Sequence, residues 1–176
     1  MNKMKRIMID TSIYEFVLKY IEKSVLEVIL LQKRMIFYGN GIIRKELREI
    51  PKSKKDIVYG NVRGLRSALL QLYDLIVGKH HCQITKQMEE LADKYFTVYR
   101  TLGGFAAKKE IINDFRIVAC ASLNNLDILV SEDTRTMLSE ISINSYKTVN
   151  QLFGFKTPNF IKFNEFRNKL RGGKLD

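Results

Sequence analysis

The chain has 176 residues, of which 45% are hydrophobic and 28% charged. This balance is typical of a folded globular protein and excludes a disordered or fibrous one. Lysine and arginine number 30 against 19 aspartates and glutamates, which gives a net charge of +11. A domain of this length buries roughly 70% of the surface of its unfolded chain, so it needs no disulfide or metal ion in order to fold.

Three further classes of protein are excluded by the pattern of charges and cysteines. The longest stretch without a charged residue covers residues 117–126, whereas a membrane-spanning helix needs about 20 mostly apolar residues. The apolar run at residues 7–9 ends at Asp10, which is too short for a secretory signal. Cys82 and Cys120 are the two cysteines, and they do not form a CxxC motif. A disulfide framework and a four-cysteine zinc site are therefore both excluded. We expect a cytoplasmic protein that does not enter a membrane.

The excess of positive charge favours a polyanionic partner, of which nucleic acid is the commonest. Basic residues are concentrated in two segments, residues 44–55 and the stretch from residue 156 to the end. The alternative is a solvated lysine-rich surface with no specific partner. Charge therefore supports binding of a polyanion but no particular chemistry.

The first third of the chain alternates short apolar runs with helical patterns. Residues 7–9 predict a strand, Asp10, Thr11 and Ser12 form an N-cap cluster, and a helix follows to about residue 31. A second strand is predicted at residues 35–38, broken by the turn at 39–41. A short helix then covers residues 42–50 and is stopped by Pro51, and residues 52–55 form a charged connection.

Helices dominate the prediction for the rest of the chain. A helix is expected over residues 56–77, and a second over 86–100 with Thr85 as its cap. Residues 102–105 predict a turn, 108–123 a helix, 127–131 a strand, 132–140 a helix and 146–149 a last strand. A last helix over residues 160–170 precedes a Gly-Gly-Lys tail that is expected to be disordered.

Short apolar strands separated by helices predict an α/β protein with a parallel sheet covered by helices on both faces. We expect a three-layer α/β/α architecture with a central sheet of four or five short strands. Residues 56–100 are interpreted as an inserted pair of helices within a domain of residues 1–155. Residues 156–176 are interpreted as a C-terminal helix and a basic tail.

Acidic residues follow the predicted strands. In an open parallel sheet, ligands bind outside the carboxyl ends of the strands, because loops and helix N-termini meet there. Four carboxylates in one crevice would repel each other unless a divalent cation such as Mg²⁺ or Mn²⁺, which prefers oxygen ligands, lies among them. Such an ion can activate water and neutralise a phosphodiester. The acids placed near this edge are Asp10, Glu46, Asp114 and Asp133.

Each of these acids also has an ordinary structural interpretation, and singly each is a weak signal. The alternatives are a helix cap for Asp10, a surface ion pair with Arg44 or Lys45 for Glu46, a cap of a helix beginning at Asn113 for Asp114, and a helix cap for Asp133, with Glu132 an equally plausible neighbour.

Four blocks of sequence, taken together and in order, resemble the PIN-domain ribonucleases, in particular the prokaryotic VapC-like group. The blocks are residues 7–12 (IMIDTS), 42–47 (IIRKEL), 113–121 (NDFRIVACA) and 129–133 (LVSED). The resemblance covers roughly residues 5–150, and residues 158–161 (PNFI) resemble the segment that closes such domains.

The resemblance implies a PIN-like fold and a Mg²⁺- or Mn²⁺-dependent endoribonuclease that acts on RNA, in some members as the toxin of a toxin–antitoxin pair. It also implies a cognate antitoxin and a homodimer. The stretch between residues 121 and 133 is one residue longer than usual, so the fourth acid is either Glu132 or Asp133. The implied metal-binding and catalytic residues are Asp10, Glu46, Asp114 and Asp133, with a hydroxyl of Thr11 or Ser12 near the metal or the phosphate.

Several other groups have weaker claims to a function. Residues 80–82 (HHC) offer soft-metal ligands but lack the paired spacing of a structural zinc site. Gly103 and Gly104, followed by Lys108 and Lys109, form a flexible turn beside which a phosphate could pass, without the order of a nucleotide-binding loop. Arg116 could face a phosphate or pair with an acid.

Two rival functions remain to be weighed. A phosphatase of the aspartyl-phosphate type also begins with a strand that ends in Asp, but it needs a second carboxylate two residues on, where this chain has Ser12. A catalytically inactive nucleic-acid-binding or protein-interaction module keeps the basic surface and leaves the acids unexplained. That module is the alternative to a nuclease.

Overall fold

A computed structural model describes residues 4–23, 26–27, 35–58 and 61–172. Within these residues, five strands form one parallel sheet and two more form a separate hairpin. In chain order the elements are β1 (Lys5–Ile9), α1 (Thr11–Tyr20), β2 (Met35–Asn40), α2 (Gly41–Glu49), β3 (Lys55–Val58), β4 (Asn61–Gly64), α3 (Leu65–Val77), β5 (His81–Cys82), α4 (Lys86–Thr101), α5 (Lys108–Leu123), β6 (Ile128–Val130), α6 (Glu140–Phe153), β7 (Asn159–Ile161) and α7 (Phe163–Gly172).

The strands of the main sheet are ordered β5-β2-β1-β6-β7, and every neighbouring pair is parallel. Helices α1, α2 and α3 pack together, and α4 contacts both α5 and α6. The predicted α/β fold with a central parallel sheet of short strands flanked by helices is confirmed. Since all five strands run the same way, their carboxyl ends meet at one edge of the sheet.

The central strand β1 is apolar at every buried position. Ile7, Met8 and Ile9 are each at most 1% exposed, because helices cover the sheet and alternation with polar residues is not needed. Ile13 and Val17 of α1 are equally buried and lie one helical turn apart on the same face. The first polar residue after β1 is Asp10, which brings a carboxyl group to the centre of the sheet edge.

Helix α1 is shorter than predicted. It ends at Tyr20, and its C-cap Ile21 has an extended backbone conformation. The predicted continuation to residue 31 falls largely on residues that lie outside the described part of the chain, as do the tail residues 173–176.

The predicted helix over residues 56–77 is wrong for its first part and correct for its second part. Residues 55–64 form the antiparallel hairpin β3–β4, and α3 begins only at Leu65. The apolar residues at spacings of three and four that supported the helix all lie in α3, whereas the preceding segment carries the β-branched pair Ile57 and Val62, which face each other in the hairpin. The segment 56–100 is thus a hairpin, two helices and the short strand β5, which the sequence analysis missed.

The region after β6 also differs from prediction. Residues 132–139 form turns rather than a helix, and residues 146–149, predicted as a strand, lie inside α6. Tyr146 and Val149 are buried on one face of that helix, which explains their apolar character without a strand. The predicted helix over 160–170 begins at Phe163, after β7 has paired with β6. The division between residues 155 and 156 stays a prediction.

None of the helices in the described part of the chain has the length and apolar character needed to cross a membrane.

Candidate active site

Asp10 is fixed at the centre of the carboxyl edge of the sheet. Its backbone N–H donates to the carbonyl oxygen of Val130 at 2.9 Å, so the end of β1 is tied to the end of β6. Its Oδ2 accepts hydrogen bonds from the hydroxyls of Ser12 at 2.9 Å and Ser131 at 3.0 Å. The residue is only 6% exposed. Its side chain makes no capping hydrogen bond to α1, so the interpretation as a simple helix cap is wrong.

Burial is the main influence on the charge of Asp10. It raises the pKa of the carboxyl above the ordinary value, because the ionised form loses hydration, and the negative charge of Asp133 raises it further. The hydrogen bonds from Ser12 and Ser131 act in the opposite direction, since they favour the charged form. Asp10 is therefore a buried carboxyl that accepts hydrogen bonds from two hydroxyls, neither of which carries a positive charge.

Glu46 reaches the same edge from helix α2. The helix begins at Asn40, whose Oδ1 accepts from the backbone N–H groups of Ile42 and Ile43 at 3.1 and 3.0 Å, and this cap fixes its direction. Glu46 Oε2 accepts from the hydroxyl of Thr11, and Oε1 accepts from the side-chain amide of Asn113 at 3.1 Å.

The surface ion-pair interpretation of Glu46 is wrong, because both of its basic neighbours are engaged elsewhere. Arg44 pairs with Asp74 at 3.1 Å, and Lys45 faces Glu49 at 4.0 Å. Partial burial raises the pKa of Glu46, and the negative charge of Asp10 adds to the shift. Glu46 thus faces the other acids rather than a cation.

Asp114 is a third acid with a raised pKa. It lies in the middle of α5, not at its start, so a helix cap is excluded, and its Oδ2 accepts from the hydroxyl of Thr136. Burial raises its pKa to about 7, and the charges of Asp10, Asp133 and Glu46 contribute in that order. Without a cation nearby, Asp114 holds a proton up to about neutral pH.

Asp133, rather than Glu132, faces this group of acids. Asp133 Oδ1 accepts from the backbone N–H groups of Arg135 and Thr136, both at 2.9 Å, and Oδ2 lies 2.5 Å from the hydroxyl of Thr136. Glu132 Oε1 accepts from the backbone N–H of Phe163 at 2.8 Å, at the start of α7. Asp133 Oδ1 binds the N–H groups of a turn and not of a helix, because the predicted helix after the strand is absent, while its other oxygen belongs to the acid group.

The hydroxyl of Thr136 lies between two carboxyl groups. Both Asp114 and Asp133 place an oxygen at hydrogen-bond distance from it, yet a hydroxyl has one hydrogen to donate. One of the carboxyls must therefore hold a proton, or a cation must lie beside them. The sequence analysis missed Thr136, and it also missed Ser131 and Asn113 as site residues, although both adjoin acids in the recognised blocks.

Two of the predicted phosphate-adjacent cations pair with acids outside the site, Arg116 Nε with Glu89 at 2.7 Å and Lys108 Nζ with Asp93 at 2.8 Å. Arg116 also donates through Nη1 to Asn113 Oδ1 at 3.2 Å, and Asn113 donates to Glu46, so Arg116 borders the acid group. Lys109 is exposed in the first turn of α5. Thr11 and Ser12, in contrast, lie in the site, where their hydroxyls donate to acids.

The glycine pair before α5 serves the turn itself. Gly103 has a φ of 92°, which L side chains rarely adopt, and a Cβ on Gly104 would lie 2.3 Å from the ring of Tyr99. Arg100 also donates to the carbonyl oxygen of Gly104 at 2.8 Å. These contacts explain both glycines without a bound phosphate.

The acids of the site supply oxygen ligands that a metal ion could use. In the described part of the chain, no three His, Cys, Asp or Glu side chains converge closely enough to form a direct metal site, and this includes residues 80–82. Asp114 and Asp133 are instead joined through the hydroxyl of Thr136, while Asp10 and Glu46 accept from other hydroxyls. Their oxygen ligands suit Mg²⁺ or Mn²⁺, since Mg²⁺ keeps several waters and is usually bound by one or two carboxylates. The chemistry of the donors fits such an ion held in part through water.

No family model and no curated protein matches the sequence. Solved structures do match. The structure of VapBC2 from Rickettsia felis, bound to a DNA fragment from their promoter, aligns over 90% of this chain and 98% of that chain, with a TM-score of 0.56 and 14% identity. DNA-bound VapBC from Salmonella typhimurium and VapBC-1 from nontypeable Haemophilus influenzae align over the same shares, each with a TM-score of 0.54 and 14% identity.

The fold is therefore PIN-like and similar to that of chains in VapBC complexes, in agreement with the resemblance carried by the four sequence blocks. At 14% identity the similarity shows the fold, and the function must be argued from the site.

Proposed function

We propose that this protein is a metal-dependent endoribonuclease that hydrolyses RNA phosphodiester bonds. One observation carries the proposal: acids from β1, α2, α5 and the turn after β6 lie at one edge of the sheet, with one pKa raised to about 7 by burial and by the other three. A group of acids that repel each other is costly to stability and is typical of a functional site.

Asp10, Glu46, Asp114 and Asp133 would hold the ion, directly or through its water. Bound Mg²⁺ or Mn²⁺ would lower the pKa of a water molecule and neutralise charge on the phosphodiester. Thr11 and Ser12 donate to Glu46 and Asp10, so they keep these carboxylates oriented towards the ion. Asp114, once it loses its proton, supplies the charge that attracts the cation.

RNA is the proposed substrate because the chain as a whole is strongly basic while the site is acidic. The net charge of +11 attracts a polyanion, and the acids would bind a cation that contacts the polyanion at one point. Binding should therefore weaken steeply as salt rises, because phosphate contacts release counterions. A binding constant that stays flat between low and moderate salt would contradict phosphate recognition.

We further propose that the protein is the toxin of a toxin–antitoxin pair, with a protein antitoxin as partner and a homodimer as its assembly. The support is the similarity of its fold to chains in VapBC complexes. Exposed apolar side chains such as Ile57 and Val62, 67% and 71% exposed on the β3–β4 hairpin, offer contact area for a protein. Sedimentation at rising protein concentration tests the homodimer.

The decisive experiment is cleavage of a structured RNA by the purified protein. We expect cleavage with Mn²⁺ or Mg²⁺, loss of cleavage in EDTA, and a fall of about 100-fold or more for Asp10→Asn. The matched control is Asp74→Asn, which changes the same residue type in an exposed ion pair with Arg44. If Asp10→Asn cleaves as fast as Asp74→Asn, the proposal fails, and RNA binding without cleavage would favour the inactive module.

A second pair of variants tests the fourth acid. We expect Asp133→Asn to reduce cleavage and Glu132→Gln to leave it within about twofold, because a glutamine oxygen still accepts from the N–H of Phe163. The reverse result would assign the role to Glu132.

A further inference from the structure

The two cysteines of the chain are brought together by the fold. Cys82 lies in β5 and pairs with Asn40 of β2, and Cys120 lies near the end of α5. Both line a cavity of about 480 Å³ that is also bordered by Tyr38, Lys79 and His80. Both are free thiols, and nothing in the nuclease chemistry uses them.

The surroundings of the two sulfur atoms are polar. The two cysteine side chains border the same cavity and lie close enough for each to affect the pKa of the other. Asn124 Nδ2 lies 3.8 Å from Cys120 Sγ and also donates to the carbonyl oxygen of Cys120 at 2.8 Å. A cysteine that only fills space packs as a small apolar residue, whereas these two lie among amide groups.

The two thiols differ in charge and access. The neighbouring Cys120 thiol lowers the pKa of Cys82, and the positive charge of Arg6 lowers it further, although burial opposes both. The neighbouring Cys82 thiol and burial raise the pKa of Cys120. Cys82 is 7% exposed and Cys120 1%. Cys82 is the more nucleophilic partner, and Cys120 lies behind it.

We propose that Cys82 and Cys120 form an oxidation site at which a hydroperoxide that enters the cavity converts the pair of thiols into an intramolecular disulfide. The Cys82 thiolate attacks one peroxide oxygen, the O–O bond breaks, and the leaving oxygen takes up a proton, which gives a sulfenic acid and, from hydrogen peroxide, water. Cys120 then attacks that sulfur and releases the hydroxyl as a second water, with its own thiol proton. Two thiols are oxidised and one peroxide is reduced to two waters.

The pair connects the elements that carry two of the acids. Cys82 pairs with Asn40, which caps the helix of Glu46, and Cys120 lies on the helix of Asp114. A disulfide requires a sulfur–sulfur distance of about 2.05 Å, much shorter than a thiol–thiol hydrogen bond, so closure draws α5 towards β5. This consequence rests on the proposed function: oxidation should lower RNA cleavage by about 10- to 100-fold, because a displacement of about 1 Å has such an effect.

The site itself is tested without activity, by thiol counting on the whole protein. Native protein is exposed to hydrogen peroxide, alkylated under denaturing conditions and measured by mass spectrometry. We expect the count of free thiols to fall from two to none, with a monomeric mass lower by two hydrogen atoms and full recovery in dithiothreitol. Two thiols that survive peroxide, or disulfides that form only between chains, would overturn the proposal.

Single variants assign the order of events. In Cys120→Ser, Cys82 should accumulate a sulfenic acid that reacts with dimedone, whereas in Cys82→Ser the Cys120 thiol should stay reduced. Equal labelling of the two variants would overturn the assignment of Cys82 as nucleophile. If the disulfide forms but cleavage is unchanged, the link to Glu46 and Asp114 is wrong while the oxidation site stands. If no RNA is cleaved in reducing buffer, the proposed function fails on its own.

Discussion

Two polar groups in this molecule are built in opposite ways. The first is the acid group at the edge of the sheet, which consists of Asp10, Glu46, Asp114 and Asp133. The second is an interior cluster on α4, α5 and α6, in which the Tyr95 hydroxyl donates to Asn150 Oδ1 at 2.6 Å. The amide of Asn150 in turn donates to the hydroxyls of Ser122 and Thr157, both at 3.0 Å. Every member is neutral, and Tyr95, Ser122 and Asn150 are fully buried.

The acid group has acceptors in excess, whereas the interior cluster matches donors to acceptors. In the interior cluster the Tyr95 hydroxyl and the Asn150 amide both have partners, so the cluster stabilises the fold and links three helices. In the acid group, one hydroxyl of Thr136 lies between Asp114 and Asp133, and burial opposes their charge. The comparison indicates that the acids lower stability when no cation is bound, whereas the interior cluster contributes to stability.

The largest effect on stability should come from breaking the interior cluster. Asn150→Ala leaves the hydroxyls of Tyr95, Ser122 and Thr157 without their amide partner, and each buried polar group left unpaired costs about 1–3 kcal/mol. We expect urea denaturation to show a loss of about 3 kcal/mol in the free energy of unfolding. A loss below about 1 kcal/mol would mean that water replaces the amide.

The opposite sign is expected for Asp114→Asn. The pKa of Asp114 is about 7 in the folded protein against 3.8 as its ordinary value, so the stability contributed by its proton is complete below about pH 4 and is lost as the pH rises through 7. Asparagine stays neutral and can still accept from Thr136. In EDTA at about pH 8, we expect the variant to exceed the parent by about 2 kcal/mol. This is about half of the roughly 4 kcal/mol that a difference of about three pKa units corresponds to, because solvent screens part of the charge.

Measuring the stability of both proteins at several pH values is the control for that prediction. The advantage of Asp114→Asn should shrink towards zero as the pH falls from about 8 to about 4, since the parent then regains its proton. An advantage that is independent of pH would show that packing, rather than charge, separates the two proteins.

A smaller effect is expected from adding the cation itself. Mg²⁺ at about ten times its dissociation constant should stabilise the parent by about 1.4 kcal/mol, which shifts the melting temperature by about 3–5 °C. The shift should be much smaller for Asp10→Asn, and NaCl at equal ionic strength should not reproduce it. Equal shifts in both proteins would contradict metal binding at the acid group.

The smallest effect concerns a tyrosine beside Asp10. The hydroxyl of Tyr14 is buried and finds no hydrogen-bond partner among the described residues, so Tyr14→Phe removes an unpaired polar group and should raise stability by up to about 1 kcal/mol. The matched change Tyr95→Phe removes a paired hydroxyl and should cost about 1–2 kcal/mol. Thermal unfolding of the two variants side by side measures the difference, and equal losses would indicate an undetected partner for Tyr14.

Features that depend on a few neighbouring residues could be predicted from the sequence. β1 and Asp10 follow from one apolar run that ends in an acid, and the cap at Thr85 follows from a single polar side chain before an apolar pattern. The predicted strand at 146–149 failed because Tyr146 and Val149 suit either a strand or the buried face of a helix. Only packing of α6 against α4 decides between them.

Features that depend on contacts between distant residues were beyond sequence reasoning. The hydroxyl of Thr136 joins Asp114, which is 22 positions away, and no local pattern marks it. Cys120 looked isolated along the chain, yet the parallel pairing of β5 beside β2 brings Cys82 to it. The choice between Glu132 and Asp133 likewise depends on where α7 begins, because the backbone N–H of its first residue, Phe163, donates to Glu132.

The place of β1 in the sheet has a consequence during protein synthesis. In this topology β1, which is made before its neighbours in the sheet, is the middle strand, and the amide of Asp10 bonds to the carbonyl of Val130, which is made 120 positions later. A growing chain, or one truncated before β6, lacks the neighbour that holds Asp10 in place. The acid group can therefore assemble only after β6 has been synthesised.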